Sequence, residues 1–306
     1  MPRPTLKDVS ARAGVSVATA SAVVNRAGWV TEATRERVQA AIDALGYRPN
    51  RAARALRTRR EGTVGVVVSA LSDPFQSAFV RALSQALHGG GRSLFLSDAD
   101  GDAALGDSLV DSLVERSVDG LVVGASVVSP ARLAALAGGS VPAVVAGETD
   151  VAGLPSVGSD LAAGAAQATA YLRDRGARRV ALVTAPSPQA DLLRAGWRSV
   201  QADDALDLGA GALADLWALG ADAVLAGSDA LAAEVVQSAR DAGRSVPGDV
   251  QVIAVGNGPL APLVRPALTS VSLDAPAVAA AALSALDAGG SALVPTRLVP
   301  RASTLP

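Results

Sequence analysis

The chain has 306 residues, half of them hydrophobic but only 3% aromatic, with no Cys and a single His, His88. That is enough chain for two or three folding units with cores of small aliphatic side chains. It excludes disulfides, thiolate nucleophiles and Cys-built zinc sites, and it argues against His-ligated metals and Ser-His triads. The net charge of −2 hides a division: residues 1–60 carry 12 Lys/Arg against 4 Asp/Glu, net +8, and the remainder 15 against 25, net −10. A basic head on an acidic body points to a polyanion partner, although charge alone leaves a solvated basic tail open. No apolar h-region follows Met1-Pro2-Arg3-Pro4, and no apolar run approaches the roughly 20 residues of a membrane span. A soluble, cytoplasmic, nucleoid-associated protein is expected, with no cofactor, no metal and no membrane contact.

Thr5 and Asp8 have the spacing of a capping box, and Leu6, Val9 and Ala13 share a helical face. Gly14 breaks that helix at a tight turn, and Ser16 is placed to cap a second one. In the second helix Ala20, Val23 and Val24 face inward, and Val17, Ala18, Ser21, Ala22 and Asn25 face outward. Thr31 is placed to cap a third helix with inner face Val38, Ala41, Ile42 and Leu45, ended by Gly46. Two short helices joined at Gly14-Val15-Ser16 and crossed by a third make a helix-turn-helix whose second helix would lie in the major groove. A plain three-helix bundle has the same periodicity.

The run Thr5-Leu6-Lys7-Asp8-Val9-Ser10-Ala11-Arg12-Ala13-Gly14-Val15-Ser16 decides between these. With Thr19, Ser21, Val23, Val24, Asn25, Thr34-Arg35, Val38, Leu45-Gly46-Tyr47, Pro49-Asn50 and Leu56, it resembles the LacI family in order and in spacing. The resemblance implies roles. Thr5, Ser16, Thr19, Ser21, Asn25, Tyr47 and Asn50 would hold the phosphate backbone, which gives position rather than sequence preference. Val17, Ala18 and Ala22 would face base edges. Residues 50–57 would form a hinge helix paired with its dimer mate in the minor groove, with Leu56 as the wedge and Pro49 in its first turn. Such a helix is too short to persist alone in water, so it would form mainly on DNA. One departure stands out: the family usually has Arg at the position of Ala22. The reading face is therefore apolar, fit for thymine methyls but not for a bidentate guanine contact.

Residues 57–62 read as a linker. Beyond it apolar strands at 63–69, 93–97, 119–123 and 141–146 alternate with helices at 74–89 and 103–116. A second set has helices at 161–175, 190–201 and 230–242 and strands at 179–184, 223–226 and 251–255. Near-continuous apolar strands alternating with helices indicate parallel sheets covered on both faces. The expected fold is an all-α helix-turn-helix domain with hinge helix, followed by an α/β two-lobed periplasmic-binding-protein-like domain of two doubly wound parallel sheets. The expected boundaries are 1–48 for the DNA-binding domain and 49–61 for hinge and linker. Residues 62–306 would be the effector-binding and dimerisation domain, with an N-lobe of about 62–158 plus part of the C-terminal segment and a C-lobe of about 159–272. The looser resemblance here rests on Asp73-Pro74-Phe75, Val118-Asp119-Gly120-Leu121, Gly196-Trp197, Pro247-Gly248-Asp249-Val250 and Leu268-Thr269-Ser270-Val271.

The pocket positions match poorly. Sugar-binding members carry an Arg three residues before the Gly-aromatic pair; here that residue is Leu193, with Arg194 beside it. The family's Asn-Asp pair is Ser228-Asp229, and its later Asp positions fall at Gly147-Glu148 and Gly256-Asn257. The stretch 201–216 is also shorter than the family's helix-strand-helix, which leaves open whether the second lobe keeps its outermost strand. The pocket can be read in two ways. Either it is re-tuned for another ligand through Asp73, Phe75, Glu148, Asp160, Arg194, Ser228, Asp229 and Asn257, or it is degenerate and the body only dimerises the DNA readers. Each of these polar groups also fits a surface or capping role, Asp160 and Ser228 especially.

Three other motifs carry no site. Gly209-Ala210-Gly211-Ala212-Leu213-Ala214 matches G-x-G-x-x-A, but residues 201–207 do not read as the apolar strand a dinucleotide turn needs. Asp98, Asp100 and Asp102 lack the EF-hand continuation, and Phe79, Leu83 and Leu87 form a core stripe. The leading expectation is a sequence-specific repressor that binds a pseudo-palindromic double-stranded operator as a homodimer, under control of a sugar or other metabolite. The absence of a heptad tail favours a dimer over a tetramer. The alternatives are an effector-independent architectural DNA binder and, opposed by the missing signal peptide and the lack of a catalytic constellation, a solute-binding protein or enzyme.

Overall fold

The protein is seen in a computed structural model that describes residues 4–25, 28–47, 62–147, 151–201 and 206–305. The expected hinge and linker, with Pro49, Asn50 and Leu56, lie outside these residues, as does Glu148. The chain divides into two compact units, residues 1–61 and 62–306.

The head contains α1 (Leu6–Ala13), α2 (Val17–Val24) and α3 (Glu32–Leu45). Thr5 and Asp8 form the capping box reciprocally at the start of α1. Gly14 ends that helix at φ 65°, a left-handed conformation that lets its N–H reach the carbonyls of Ser10 and Ala11 and turns the chain into α2. Val9, Ala13, Ala20, Val23, Val38 and Ala41 are buried, with Ile42, Leu45 and Tyr47 packed against the cluster. Leu6 and Val24, expected inward, are half-buried. Thr31 holds the cap position of α3, but its hydroxyl pairs with Thr34 Oγ1 at 2.9 Å instead of a helix N–H.

The body begins with β1 (Thr63–Val68), α4 (Pro74–Gly89), β2 (Ser93–Asp98), α5 (Ala103–Glu115), β3 (Gly120–Gly124), α6 (Pro130–Ala137), β4 (Ala143–Ala146) and β5 (Ser156–Ser159). It continues with α7 (Leu161–Asp174), β6 (Val180–Thr184), α8 (Pro188–Arg198), β7 (Leu206–Gly209), α9 (Asp215–Ala218), β8 (Ala223–Ala226), α10 (Asp229–Asp241), β9 (Gln251–Gly256) and β10 (Thr269–Ser272). The chain closes with α11 (Ala275–Ala288), β11 (Ala292–Val294) and β12 (Arg297–Val299). One sheet runs β11-β5-β4-β3-β1-β2 and the other β12-β10-β9-β8-β6-β7.

In the first lobe, Phe79, Leu83 and Leu87 of α4 pack with Val278 and Ala282 of α11 on one face of the sheet, and Val110 and Leu113 of α5 cover the other. In the second, α7 and α8 cover one face and α10 the other. The chain passes between the lobes three times, after β5, β10 and β11.

Three expectations change. The sheets are not wholly parallel, because β12 pairs antiparallel with β10. The outermost strand of the second lobe is present as β7, which pairs with β6. A strand therefore does precede Gly209, contrary to the reading of residues 201–207. After Gly209 the chain makes a single 3-10 turn and then the four residues of α9, not the helix N-terminus that a dinucleotide site uses. Gly196 is explained by packing: a Cβ there would stand 1.9 Å from the Ala162 carbonyl oxygen. That absence lets α8 press onto α7 and buries Trp197 completely, its indole N–H donating to the Val180 carbonyl at 3.2 Å.

Candidate nucleic-acid interface and ligand cleft

In the head, the described residues expected on the phosphate backbone lie mostly at helix ends. Ser16 caps α2, accepting from the Thr19 N–H at 3.0 Å, and its hydroxyl shares a hydrogen bond with Thr19 Oγ1 at 2.9 Å. Asn25 closes the other end, donating to the Ser21 carbonyl at 2.8 Å and the Ser21 hydroxyl at 3.1 Å. These pairs fix the side chains at both ends of α2 before any contact is made. Thr5 is exposed at the start of α1, and Tyr47 is half-buried against the head core. The hydrogen bonds from Thr5, its side chain foremost, hold the Asp8 carboxyl below its ordinary 3.8. Between the ends of α2, Val17 and Ala18 are exposed and Ala22 is half-buried.

Sequence periodicity missed one feature of this surface. A cavity of about 370 Å³ opens beside α2, lined by Ala18, Thr19, Ala22, Trp29, Val30, Thr31 and Thr34. Trp29 is 90% exposed. It lies in the connection before α3, where no helical face exists to be read; the available signal was a lone Trp within a basic head.

In the body, three candidate ligand residues meet where the lobes approach. Asp73 caps α4, accepting from the Gln76 N–H at 2.8 Å. Asp229, buried in the first turn of α10, accepts from the backbone N–H groups of Asn257 and Gly258. A Cβ on Gly258 would lie 3.0 Å from Asp229 Oδ2 and 3.3 Å from Pro74 of the first lobe. Burial pushes the Asp229 carboxyl above its ordinary 3.8, and the charge of Asp73 adds to this, against the opposing pull of the two N–H groups and of Arg301. Asn257 is held from both sides: it donates to Ser272 Oγ at 3.1 Å and accepts from Arg301. Arg301 also reaches the Leu268 carbonyl. It was not foreseen as a cleft residue, because it falls in the short tail after β12, outside any helix-strand repeat. Phe75 stacks on Phe79, centroids 6.4 Å apart.

Other candidates are engaged locally. Asp160 and Ser228 are caps, accepting from the N–H groups of Ala163 at 2.9 Å and Leu231 at 3.2 Å. Arg194 is paired with Asp207 at the side of β7 and with Asp191 one turn back on α8. The hydrogen bond it donates to Asp207 foremost holds the guanidinium above its ordinary range. Together these three line a cavity of about 380 Å³ with Thr184, Pro186 and Ser187. Leu193, standing where sugar-binding members have Arg, is buried in the core of the second lobe.

Among the described residues, no group of three or more His, Asp or Glu is arranged to hold a metal, and no helix is long and apolar enough to cross a membrane. Residues 5–50 match the family model of bacterial regulatory proteins of the lacI family, and residues 169–304 match that of the periplasmic binding protein-like domain. The chain is 32% identical over 285 residues to catabolite control protein A of Staphylococcus xylosus, covering 87% of this chain and 86% of that one. It is 32% identical over 293 residues to the ribose operon repressor of Escherichia coli K12, covering 87% of each. It superposes on the lac repressor dimer bound to operator and the anti-inducer ONPF with a TM-score of 0.85 at 26% identity, over 100% of both chains. The chain belongs to the LacI family: it is a DNA-binding transcription regulator with a helix-turn-helix head and a periplasmic-binding-protein-like body.

Proposed function

We propose that the protein is a repressor that binds a pseudo-palindromic operator as a homodimer, its affinity set by a small molecule held between the lobes. The observation that carries the reading is the head itself. A helix capped at both ends presents Val17, Ala18 and Ala22 outward between hydroxyl and amide groups, in a segment of net charge +8. One such head touches few base pairs, and a two-fold pair of heads on symmetric half-sites supplies the rest. Exposed Phe95 and Leu96 on the edge strand β2, with Leu260 and Leu263 on the second lobe, are apolar surface that a second copy would cover. The same reading places Thr5, Ser16, Thr19, Ser21, Asn25, Tyr47 and Asn50 on the phosphate backbone and Leu56 in the minor groove. It places the protein in the cytoplasm, at the nucleoid, and assigns it no chemistry of its own. The relatives named for the ribose operon and for catabolite control support regulation by a metabolite.

Purified protein is incubated with fragmented genomic DNA at physiological salt, and the retained fragments are sequenced. The reading requires enrichment of a short palindrome. Broad retention that collapses with added salt would leave only phosphate binding.

One observation favours a second reading, an effector-independent regulator. The polar side chains assigned to the ligand that fall among the described residues are already engaged within the protein, as caps or as partners of Arg301, Asp207 and the Asn257–Gly258 backbone. Thermal shift across sugars, nucleosides and other metabolites separates the two. A reproducible specific shift counts for the ligand, and none across the panel counts for the scaffold.

A further inference from the structure

The indole of Trp29 stands 90% exposed at one wall of a cavity whose other walls include Ala18 and Ala22, the outward residues of α2. An indole left in water within a small folded unit marks a contact surface, because its apolar area is large and its N–H is a ready donor. The chemistry of the cavity is specific. Its apolar lining is Ala18, Ala22, Trp29 and Val30; its polar groups are the hydroxyls of Thr19, Thr31 and Thr34, and no ionised side chain lines it. It is thus shaped for an apolar group carried on a polar frame, not for a phosphate held by charge. The net charge of +8 over residues 1–60 disfavours a second head as the occupant and favours DNA. Within the major groove, the apolar feature available to such a surface is the 5-methyl group of thymine.

We propose that Trp29 belongs to the base-reading face, and that the cavity it forms with Ala18 and Ala22 seats a thymine methyl of each half-site. The inference rests on the repressor reading and deepens it. Val17, Ala18 and Ala22 have no side-chain hydrogen-bonding group, so selectivity on this face comes from apolar contact, and Trp29 supplies the wall that makes such contact two-sided.

The test starts from duplexes selected out of a random-sequence library by the full-length protein. Each thymine of the selected site is then replaced by deoxyuridine, which removes the methyl alone. For the wild type, replacement in one half-site weakens binding about fourfold, the effect of one buried methyl. In Trp29→Ala the same replacement has no effect and the library selects a more degenerate site; in Trp29→Phe part of the effect remains. Because the side chain is exposed, both variants keep the helical content of the head, checked by circular dichroism. A second readout uses fluorescence: Trp197 is buried and Trp217 half-buried, so acrylamide quenches chiefly Trp29, and operator binding removes that quenching. A Trp29→Ala protein that selects the same site and shows the same deoxyuridine penalty overturns the proposal, as does quenching unchanged by operator. A wild type that retains no duplex overturns the repressor reading instead, and this inference with it.

Discussion

The head and the body use polar side chains in opposite ways. In the head, Ser16, Thr19, Ser21 and Asn25, assigned to DNA, are fixed by local pairs at the ends of α2, and of the apolar outward residues between them Val17 and Ala18 are exposed and Ala22 is half-buried. In the body, the described polar candidates are absorbed into the architecture, capping α4, α7 and α10, bonded to Arg301 and to neighbouring backbone, or, for Arg194, paired with Asp191 and Asp207. A surface that reads DNA is set by which way a helix faces. A cleft that binds a metabolite needs polar groups left over after folding, and here folding uses most of them.

Substitutions sharpen that contrast, and the largest effect falls in the body. Gly196→Ala drives a Cβ against the Ala162 carbonyl, for a loss of about 3 kcal/mol. Calorimetry should show the body transition falling by roughly 6–12 °C with operator affinity little changed at low temperature. Asp229→Ala leaves the Asn257 and Gly258 N–H groups without their acceptor, a cost of about 2 kcal/mol in chemical denaturation. Asp229 also has a pH signature. Because its folded carboxyl titrates above 3.8, ionisation opposes folding, and its contribution falls as pH rises from 3.8 through the raised value. Asp229→Asn should remove that slope.

Head substitutions act on binding instead. Leu56→Ala should weaken operator binding about tenfold, with random-sequence binding held within about twofold; equal losses on both duplexes would sink the wedge assignment. Ala22→Arg should add a guanine to the selected site, with a preference of about tenfold. The smallest effect is local. Thr5→Ala removes the α1 cap, a loss of about 1 kcal/mol seen in denaturation of the head. The sign for Asp8 is the reverse of that for Asp229: its carboxyl is held below 3.8, so its support is fully present above that value and lost as pH falls below it.

The two units were also unequally legible in the sequence. Helices α1 to α3 could be drawn from Thr5, Gly14, Ser16 and Gly46, because caps and turns are local. The alternation of strands and helices through the body came from apolar runs such as Val64–Val68 and Val180–Val183. Helix α11 left no trace, since its run of Ala reads as neither inside nor outside, yet Val278 and Ala282 pack in the first lobe. The edge strand β7 was obscured by Asp207, whose charge broke the apolar pattern and whose partner, Arg194, lies on another element. The cleft was least legible for the same reason: Asp160 and Ser228 look identical in sequence whether they cap a helix or greet a ligand. Trp29 escaped because it lies between helices.

The most direct test of a sequence-reading head is the affinity of the full-length protein for its selected palindrome and for a scrambled duplex of equal length, measured across a salt series. Phosphate contacts should weaken both as salt rises. Base contacts and the hinge should keep the palindrome roughly a thousandfold tighter at physiological salt. A ratio that falls to unity would contradict a sequence-reading head and leave a basic domain that binds any duplex.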